Sequence, residues 1–181
     1  MKVAFIGTHG VGKTTLCYDL AALLKRRGIH ADIVKEVARM SPLPINRRTS
    51  IDAQTWILIT QVAEEIRCES EAVVVVCDRS VLDNYAYMAL ACGRQPEIER
   101  FVDYWLGTYD LLFKVPIVGE ASPDGVRDTD TAFVGDIDHL VEQMLVEKGT
   151  ACTRLDPSRR HEWAGEASDA VLRRWSTASR S

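Results

Sequence analysis

The amino-acid sequence predicts an α/β fold with a five-stranded parallel β-sheet and helices on both of its faces. Short apolar runs of strand length alternate with longer amphipathic segments of helix length, which is the pattern of successive β–α units. The run from Ala72 to Cys77 is unbroken and mostly β-branched, as expected for a central strand covered on both faces. Because such sheets bind ligands at the carboxyl ends of their strands, we look for functional residues just after each strand.

Five segments carry the apolar composition of strands. The first follows Met1 directly, and the second follows a break at Gly28. The fourth precedes a polar segment rich in turn-forming residues. In chain order the predicted strands are residues 2–6, 31–35, 72–77, 110–118 and 150–155.

The segments between these strands place apolar residues at helical spacing. The first predicted helix ends at Gly28 after the basic turn Lys25-Arg26-Arg27, a charge placement that suits a helix C-terminus. Gly93 separates two further helices, and the segment Ser41-Pro42-Leu43-Pro44 marks a loop within the domain. The predicted helices are residues 13–27, 51–71, 82–92, 96–106, 131–148 and 161–175.

Composition and charge narrow the class of protein. The 181 residues are 46% hydrophobic and 27% charged, which predicts one soluble domain over residues 1–181, with a frayed tail at residues 176–181. The net charge of −4 argues against broad, non-specific nucleic-acid binding. The five cysteines are scattered, so we expect reduced thiols and a cytoplasmic protein. No apolar run is long enough for a membrane span, and the composition leaves a homodimer open.

Residues 7–14 read Gly-Thr-His-Gly-Val-Gly-Lys-Thr, a complete GxxxxGK[ST] phosphate-binding loop, or P-loop. Its glycines let successive backbone N–H groups point at one anion, and the following helix N-terminus favours the phosphate. Lys13 is expected to reach the β- and γ-phosphates of ATP, and the Thr14 hydroxyl to bind Mg²⁺. The residues expected to contact the nucleotide are Gly7, Thr8, His9, Gly10, Val11, Gly12, Lys13, Thr14 and Thr15.

Charged residues also follow the second and third predicted strands. Glu36 could accept a proton from an attacking hydroxyl, and Arg39 could bind an anionic substrate group, although a solvated charged turn is the alternative. Asp78 ends the most apolar strand, where enzymes of this class hold Mg²⁺, and the alternative is a carboxylate that caps the next helix. Arg79 is expected to point into the same cleft.

The segment of residues 120–131 follows the fourth strand and lacks apolar periodicity. Its turn formers suggest a short lid that closes over ATP and excludes water, with Arg127 as its cationic tip. The neighbouring acids Asp128 and Asp130 weaken this electrostatic argument, and an ordinary surface loop is the alternative.

Several aromatic and amide side chains could face the acceptor. Gln54, Trp56 and Gln61 lie on the second predicted helix and could face the substrate. Gln61 could pair with a planar ring, while Trp56 suits core or rim packing better. Tyr85 and Tyr87 follow Arg79 in the chain and could line the acceptor pocket, with core packing equally expected. His9 is expected to shape the loop rather than to catalyse.

Together these residues resemble the small P-loop kinases typified by the nicotinamide-riboside-kinase-like ATP-binding domain, with deoxynucleoside and thymidylate kinases as wider relatives. The resemblance covers residues 1–175 and implies a P-loop NTPase fold with a short lid. It implies that Glu36 activates the acceptor hydroxyl, that Arg79 lies beside it, that Asp78 helps to hold Mg²⁺ and that Arg127 is a lid arginine. The Asp78-Arg79-Ser80 segment is closest to the deoxynucleoside type, although this lid shows one arginine where nucleoside kinases carry more.

Three functions remain open from the sequence. The first is a kinase that transfers the γ-phosphate of ATP to a hydroxyl of a nucleoside-like small molecule, with Glu36, Arg39, Gln61, Arg79 and Tyr87 contacting the acceptor. The second is a kinase acting on a hydroxymethylated base in DNA, as in bacteriophage relatives, with Arg47, Arg48 and Arg94 as a basic rim. The third is a nucleotide-dependent switch or ATPase, although the D-x-x-G and N-K-x-D strings of GTPase switches do not occur.

Overall fold

The computed structural model describes residues 1–45, 49–119 and 131–178, with the side chains of Thr131 and Ala178 left aside. Within these residues, five strands are each followed by at least one of six α-helices. The strands are β1 (Lys2–Ile6), β2 (Ala31–Val34), β3 (Val74–Asp78), β4 (Leu111–Lys114) and β5 (Thr153–Arg154). The helices are α1 (Lys13–Arg26), α2 (Ile51–Glu71), α3 (Val81–Cys92), α4 (Pro96–Leu106), α5 (Thr131–Glu147) and α6 (Trp163–Ala178).

The five strands form one parallel sheet in the order β2-β3-β1-β4-β5, which confirms the predicted fold class. β1 lies at the centre, and all of its residues are buried. One face of the sheet packs on α1 and α6 around Leu20, Phe113 and Trp163. The other face packs on α2, α3 and α5 around Leu58, Tyr85 and Met144. The P-loop therefore leaves the middle of a sheet that is covered on both faces.

Several boundaries differ from the predicted ones for local reasons. β3 starts at Val74 and includes Asp78, because the Ala72 N–H still bonds to the Cys68 carbonyl at the end of α2. Two 3₁₀ segments, Val37–Met40 and Pro157–Glu162, were not predicted. β4 and β5 are shorter than predicted, while α6 continues to Ala178, so residues 176–178 of the predicted frayed tail are helical. Residues 179–181 lie outside the described residues.

Local capping fixes the elements that carry the site. Ser50 caps α2 by accepting a hydrogen bond from the Ala53 N–H. Ser80 and Asp83 form a capping box at the start of α3, immediately after β3. Because this box bonds side chain to backbone in both directions, it fixes the path of the chain between Asp78 and α3.

Candidate active site

The P-loop has a backbone that glycines permit and other residues do not. A Cβ at Gly7 would lie 2.8 Å from the Val115 carbonyl oxygen, and the φ of Gly7 is +132°. Gly12 caps α1 with a left-handed φ of +94°. The Gly7 N–H donates to Asp83 Oδ1 at 2.6 Å, so the capping box of α3 also holds the start of the P-loop. The loop geometry thus depends on both neighbouring strand ends.

Lys13 is buried beneath the P-loop. Its Nζ donates to the Gly7 carbonyl at 2.9 Å and also to the Thr8 carbonyl. Burial, together with the nearby positive charge of Arg79, lowers the pKa of Lys13 to about 7. A polyphosphate in the loop would supply the negative charge that this ammonium lacks.

Thr14 and Asp78 meet at the mouth of the P-loop. The Thr14 hydroxyl donates to Asp78 Oδ2 at 2.5 Å, and Asp78 is 2% exposed. Hydroxyl and carboxylate oxygens are the ligand types that Mg²⁺ prefers, and Mg²⁺ commonly takes one or two protein ligands with waters and phosphate oxygens. Among the described residues, no group of three or more His, Cys, Asp or Glu could hold a metal ion. This two-residue site therefore suits a Mg²⁺ ion that arrives with a nucleotide.

Glu36 lies between two arginines. Arg79 Nε donates to Glu36 Oε1 at 3.0 Å, and Arg79 Nη2 lies 3.0 Å from the same oxygen. On the other side, Arg39 Nε donates to Glu36 Oε2 at 2.9 Å. Glu36 and Arg79 are buried whereas Arg39 is 44% exposed in its side chain, so the carboxylate is fixed from inside by one arginine and from the rim by the other.

Arg79 has an unusual backbone. Its φ is +95°, and it is the one described non-glycine residue with a positive φ. Such strain persists where the surrounding structure forces it, and it concentrates at functional sites. Burial opposes the charge on Arg79, but Tyr87, Glu36 and Asp83 outweigh it and raise the pKa of the guanidinium above its ordinary value. Arg79 is therefore a permanent buried cation.

A small cavity of about 40 Å³ lies beside the Glu36–Arg79 pair. Arg79 Nη1 and Asn84 Nδ2 are buried and have no hydrogen-bond partner among the described residues. Buried polar donors without partners cost free energy unless a ligand or water pairs with them. The polar side chains around the cavity are His9, Glu36, Arg39, Gln54, Arg79, Asn84 and Tyr87.

His9 connects the P-loop to this cavity. Its Nδ1 lies 2.8 Å from the Tyr87 hydroxyl, and its ring also approaches Phe133, with 6.0 Å between the centroids. Tyr87 in turn lies under the Arg79 guanidinium, 4.8 Å from the ring centroid. A residue expected to shape the loop and to contact the nucleotide therefore also lines the cavity beside Glu36.

Most of the predicted site residues meet at the carboxyl edge of the sheet. Gly10 has a left-handed φ of +77°, Val11 is buried in the α1 core, and Thr15 is exposed on α1. Gln61 is fully buried, bonds to the Arg79 carbonyl and to Glu65, and is not among the residues around the cavity. The lid of residues 120–131, with Arg127, lies outside the described residues except for the backbone of Thr131.

Other candidates lie away from the cavity. Tyr85 is buried and bonds to Glu99, and Trp56 lines a separate shallow pocket on the outer face of α2. Of the three arginines expected to form a basic rim, Arg47 and Arg48 lie outside the described residues. Arg94 pairs with Glu99 and Glu147 and does not line the cavity beside Glu36. Arg160, by contrast, reaches the P-loop, because its Nη2 lies 3.2 Å from the position of a Cβ on Gly12.

Sequence reasoning missed Asp83 and Asn84, and it placed Gln54 only among the residues that could face the substrate. Gln54 and Asn84 line the cavity, and Asp83 holds the P-loop. Asp83 had a local signal, since Ser80-x-x-Asp83 is a capping-box pattern. Gln54 and Asn84 lie on the inward faces of α2 and α3, and only the packing of these helices distinguishes them from core residues.

The comparison with protein-family models matches residues 2–162 to a family described as an AAA domain. The chain belongs to this AAA-domain family. No curated protein matches the sequence. No helix of the described residues has the length and apolar character needed to cross a membrane.

Solved structures share the fold of this AAA-domain chain. A deoxyadenosine kinase from M. mycoides, with the products dcmp and dcdp bound, aligns over 98% of this chain and all of its own, at 15% identity and a TM-score of 0.63. The NadR protein in complex with NR aligns over 94% of this chain at 21% identity and a TM-score of 0.75. The match covers half of the NadR chain. The fold is thus that of P-loop kinases, as the sequence resemblance predicted.

Proposed function

We propose that this protein transfers the γ-phosphoryl group of ATP to a hydroxyl of a nucleoside-like acceptor. One observation carries the proposal: a buried carboxylate, Glu36, is fixed by Arg79 and Arg39 at the same sheet edge as the P-loop. An ATPase could also use such a carboxylate to activate water, so the cavity beside Glu36 is what favours a separate acceptor molecule. The names of the two structural neighbours, a deoxyadenosine kinase and a protein bound to NR, support an acceptor of this class.

The donor half of the site uses the P-loop. Its backbone N–H groups and Lys13 bind the phosphates, and Thr14 and Asp78 hold Mg²⁺. The metal ion would neutralise the charge that builds up on the phosphate oxygens. Arg160 lies over Gly12 at the outer side of the loop, where it is available to the nucleotide. Arg127 belongs to the proposed lid and would stabilise the transferred group on closure.

The acceptor half positions a hydroxyl against Glu36. The carboxylate accepts the hydroxyl proton as the hydroxyl oxygen bonds to the γ-phosphorus and the bond to the β–γ bridging oxygen breaks. Arg79 and Arg39 keep the Glu36 side chain in one orientation. Because phosphoryl transfer needs little covalent chemistry from the protein, most of the rate would come from this positioning and from electrostatics.

The cavity indicates what part of the acceptor it takes. Its 40 Å³ is far below the roughly 300–1,000 Å³ of typical small-molecule sites, so it suits the hydroxyl-bearing end of a larger molecule. Arg79 Nη1 and Asn84 Nδ2, which have no partner within the described part of the chain, would donate hydrogen bonds to that molecule. Gln54 and Tyr87 line the same cavity and would contact its planar or sugar part.

The experiment is a transfer screen with γ-labelled ATP. Nucleosides, nucleotides and hydroxymethylated DNA are offered to the wild-type protein, to Glu36→Gln and to Glu64→Gln. Glu64 is a matched control, because it also pairs with an arginine three residues away but lies on the outer face of α2. We expect Glu36→Gln to lower kcat about 10²- to 10⁴-fold, with Glu64→Gln unchanged.

Each outcome of the screen separates the candidate functions. Transfer to a nucleoside supports the proposal, whereas transfer to DNA alone supports the modified-base alternative. ATP hydrolysis that is indifferent to every acceptor would favour the switch or ATPase. Full activity of Glu36→Gln would refute the assignment of the base.

A further inference from the structure

Gln61 joins the strained Arg79 to a buried network on α2. Its Nε2 donates to the Arg79 carbonyl at 3.3 Å and to Glu65 Oε1 at 2.9 Å. Both protons of the amide group are therefore used. Its Oε1 is buried without a partner among the described residues. A side chain that only filled the core would be better replaced by an apolar one, since an orphaned buried oxygen costs stability.

Glu65 fixes the orientation of Gln61. Besides the Gln61 amide, its carboxylate accepts hydrogen bonds from Trp105 Nε1 at 2.7 Å and from the Tyr109 hydroxyl at 2.6 Å. Lys2 Nζ lies 3.0 Å from Glu65 Oε2. With the carboxylate held from α4, β1 and the segment before β4, the Gln61 amide has one well-defined position.

The backbone of Arg79 needs such support. At φ +95° an arginine is outside the regions that side chains with a Cβ prefer, so the chain would relax if it were released. The Arg79 N–H is held by the Phe5 carbonyl in β1 at 3.2 Å. The Arg79 carbonyl is held by Gln61. Rotation of this carbonyl would swing the Cα–Cβ bond and move the guanidinium away from Glu36.

We propose that Gln61 is a positioning residue: the Glu65–Gln61 bond locks the Arg79 backbone so that its guanidinium reaches Glu36. Gln61 thereby acts on the reaction through Arg79 and not through direct contact with a planar ring. The effect of Gln61 on the transfer reaction rests on the proposed function, but its role in holding the Arg79 backbone does not.

Hydrogen exchange of the Arg79 Nε–H tests the geometric role without any acceptor. The signal is followed by ¹⁵N NMR and assigned by its loss in Arg79→Lys. We expect Gln61→Met, which keeps the size but removes the donor, to speed this exchange about tenfold, with the Val76 amide in β3 unchanged. Gln143→Met is the matched control, because Gln143 makes the same i,i+4 bond to Glu147 on the outside of α5.

Selective acceleration at Arg79 supports the proposal, and equal acceleration at Arg79 and Val76 overturns it, as does no change. Gln61→Asn, whose amide is one methylene shorter, gives the same readout if Gln61→Met does not fold. In the transfer assay we expect kcat to fall about tenfold while the KM for ATP stays within about twofold. If the wild-type protein phosphorylates no acceptor, the proposed function fails, and the exchange measurement still decides the role of Gln61.

Discussion

Two charged clusters lie at opposite edges of the sheet, and they differ in how their charges are satisfied. The carboxyl-edge cluster consists of Lys13, Glu36, Asp78, Arg79 and Asn84. The amino-edge cluster consists of Arg94, Glu99, Asp103, Glu147 and Lys148, and it borders the larger cavity, of about 1,190 Å³. Cavity size alone would therefore point to the amino edge of the sheet, on the side opposite the P-loop.

In the amino-edge cluster, each of the two cations pairs with two carboxylates. Arg94 pairs with Glu99 at 2.9 Å and with Glu147 at 2.6 Å, and Lys148 pairs with Glu99 and Asp103. These pairs join α4 and the loop before it to the end of α5. The carboxyl-edge cluster is more deeply buried, and it keeps two buried donors that have no hydrogen-bond partner among the described residues. Unsatisfied buried polar groups, more than volume, mark the edge that is built for a ligand.

Replacing one arginine in each cluster gives the largest contrast. Arg79→Met removes the buried cation that pairs with the Glu36 carboxylate, so we expect a loss of about 3 kcal/mol in the free energy of unfolding. Because Arg79 also orients the carboxylate, kcat should fall about 10²- to 10³-fold. Arg94 is 45% exposed, so Arg94→Met should cost no more than about 1 kcal/mol and leave kcat unchanged.

Urea denaturation measures the free energy of unfolding of both variants, and the transfer assay measures their kcat. Equal losses of stability in the two variants would mean that burial does not distinguish the clusters. A loss of kcat in Arg94→Met would connect the amino edge to the reaction and contradict the assignment.

Removing the Asn84 amide should have smaller effects, which favour stability but weaken acceptor binding. Asn84→Leu replaces the buried amide by an apolar side chain of similar volume. Because Asn84 Nδ2 has no hydrogen-bond partner among the residues that the structure describes, we expect the thermal midpoint to stay the same or rise. Because the acceptor would lose a hydrogen bond, its KM should rise about tenfold.

Thermal denaturation measures the change in the midpoint, and titration of the transfer assay with acceptor measures the change in KM. A fall in the midpoint with an unchanged KM would show that Asn84 serves the fold. The matched control is Ser168→Ala on α6, away from the cavity. It also removes a buried polar group that has no hydrogen-bond partner among the described residues.

The fold could be predicted from the sequence, because the patterns that identify its strands and helices are local. The β-branched run before Asp78 and the glycine-rich loop after β1 each identify an element without reference to the rest of the chain. Boundaries were less accessible where a neighbouring element decides them. Val73, for example, lies outside β3, although its N–H shares the His30 carbonyl with the N–H of Val74, the first residue of the strand.

The site was accessible only in part. Glu36, Asp78 and Arg79 follow strands, so the sheet-edge rule finds them. Gln54 and Gln61 share the inward face of α2, but only Gln54 lines the cavity, because Gln61 lies two turns further along the helix, where it bonds to the Arg79 carbonyl. No sequence pattern distinguishes two such positions seven residues apart on one helix face.

The two lysines of the clusters have opposite pKa shifts. Burial lowers the pKa of Lys13 to about 7. Burial also opposes the charge on Lys148, but hydrogen bonds and ion pairs with Asp103 and Glu99 outweigh it and raise its pKa. The lysine at the amino edge is charged at all physiological pH values, whereas the lysine at the carboxyl edge gains its charge when an anion arrives.

This difference predicts proton uptake on nucleotide binding. Phosphates favour the charged ammonium and so raise the pKa of Lys13 on binding. With a free pKa of about 7, Lys13 is about nine-tenths neutral at pH 8, so binding should take up close to one proton there and close to none at pH 6. The affinity should accordingly fall as the pH rises above 7. Calorimetry with a non-hydrolysable ATP analogue, in buffers of different ionisation enthalpy, measures the uptake directly. Equal uptake at pH 6 and pH 8 would mean that Lys13 is already charged in the free protein, and the electrostatic contrast between the two edges would then be lost.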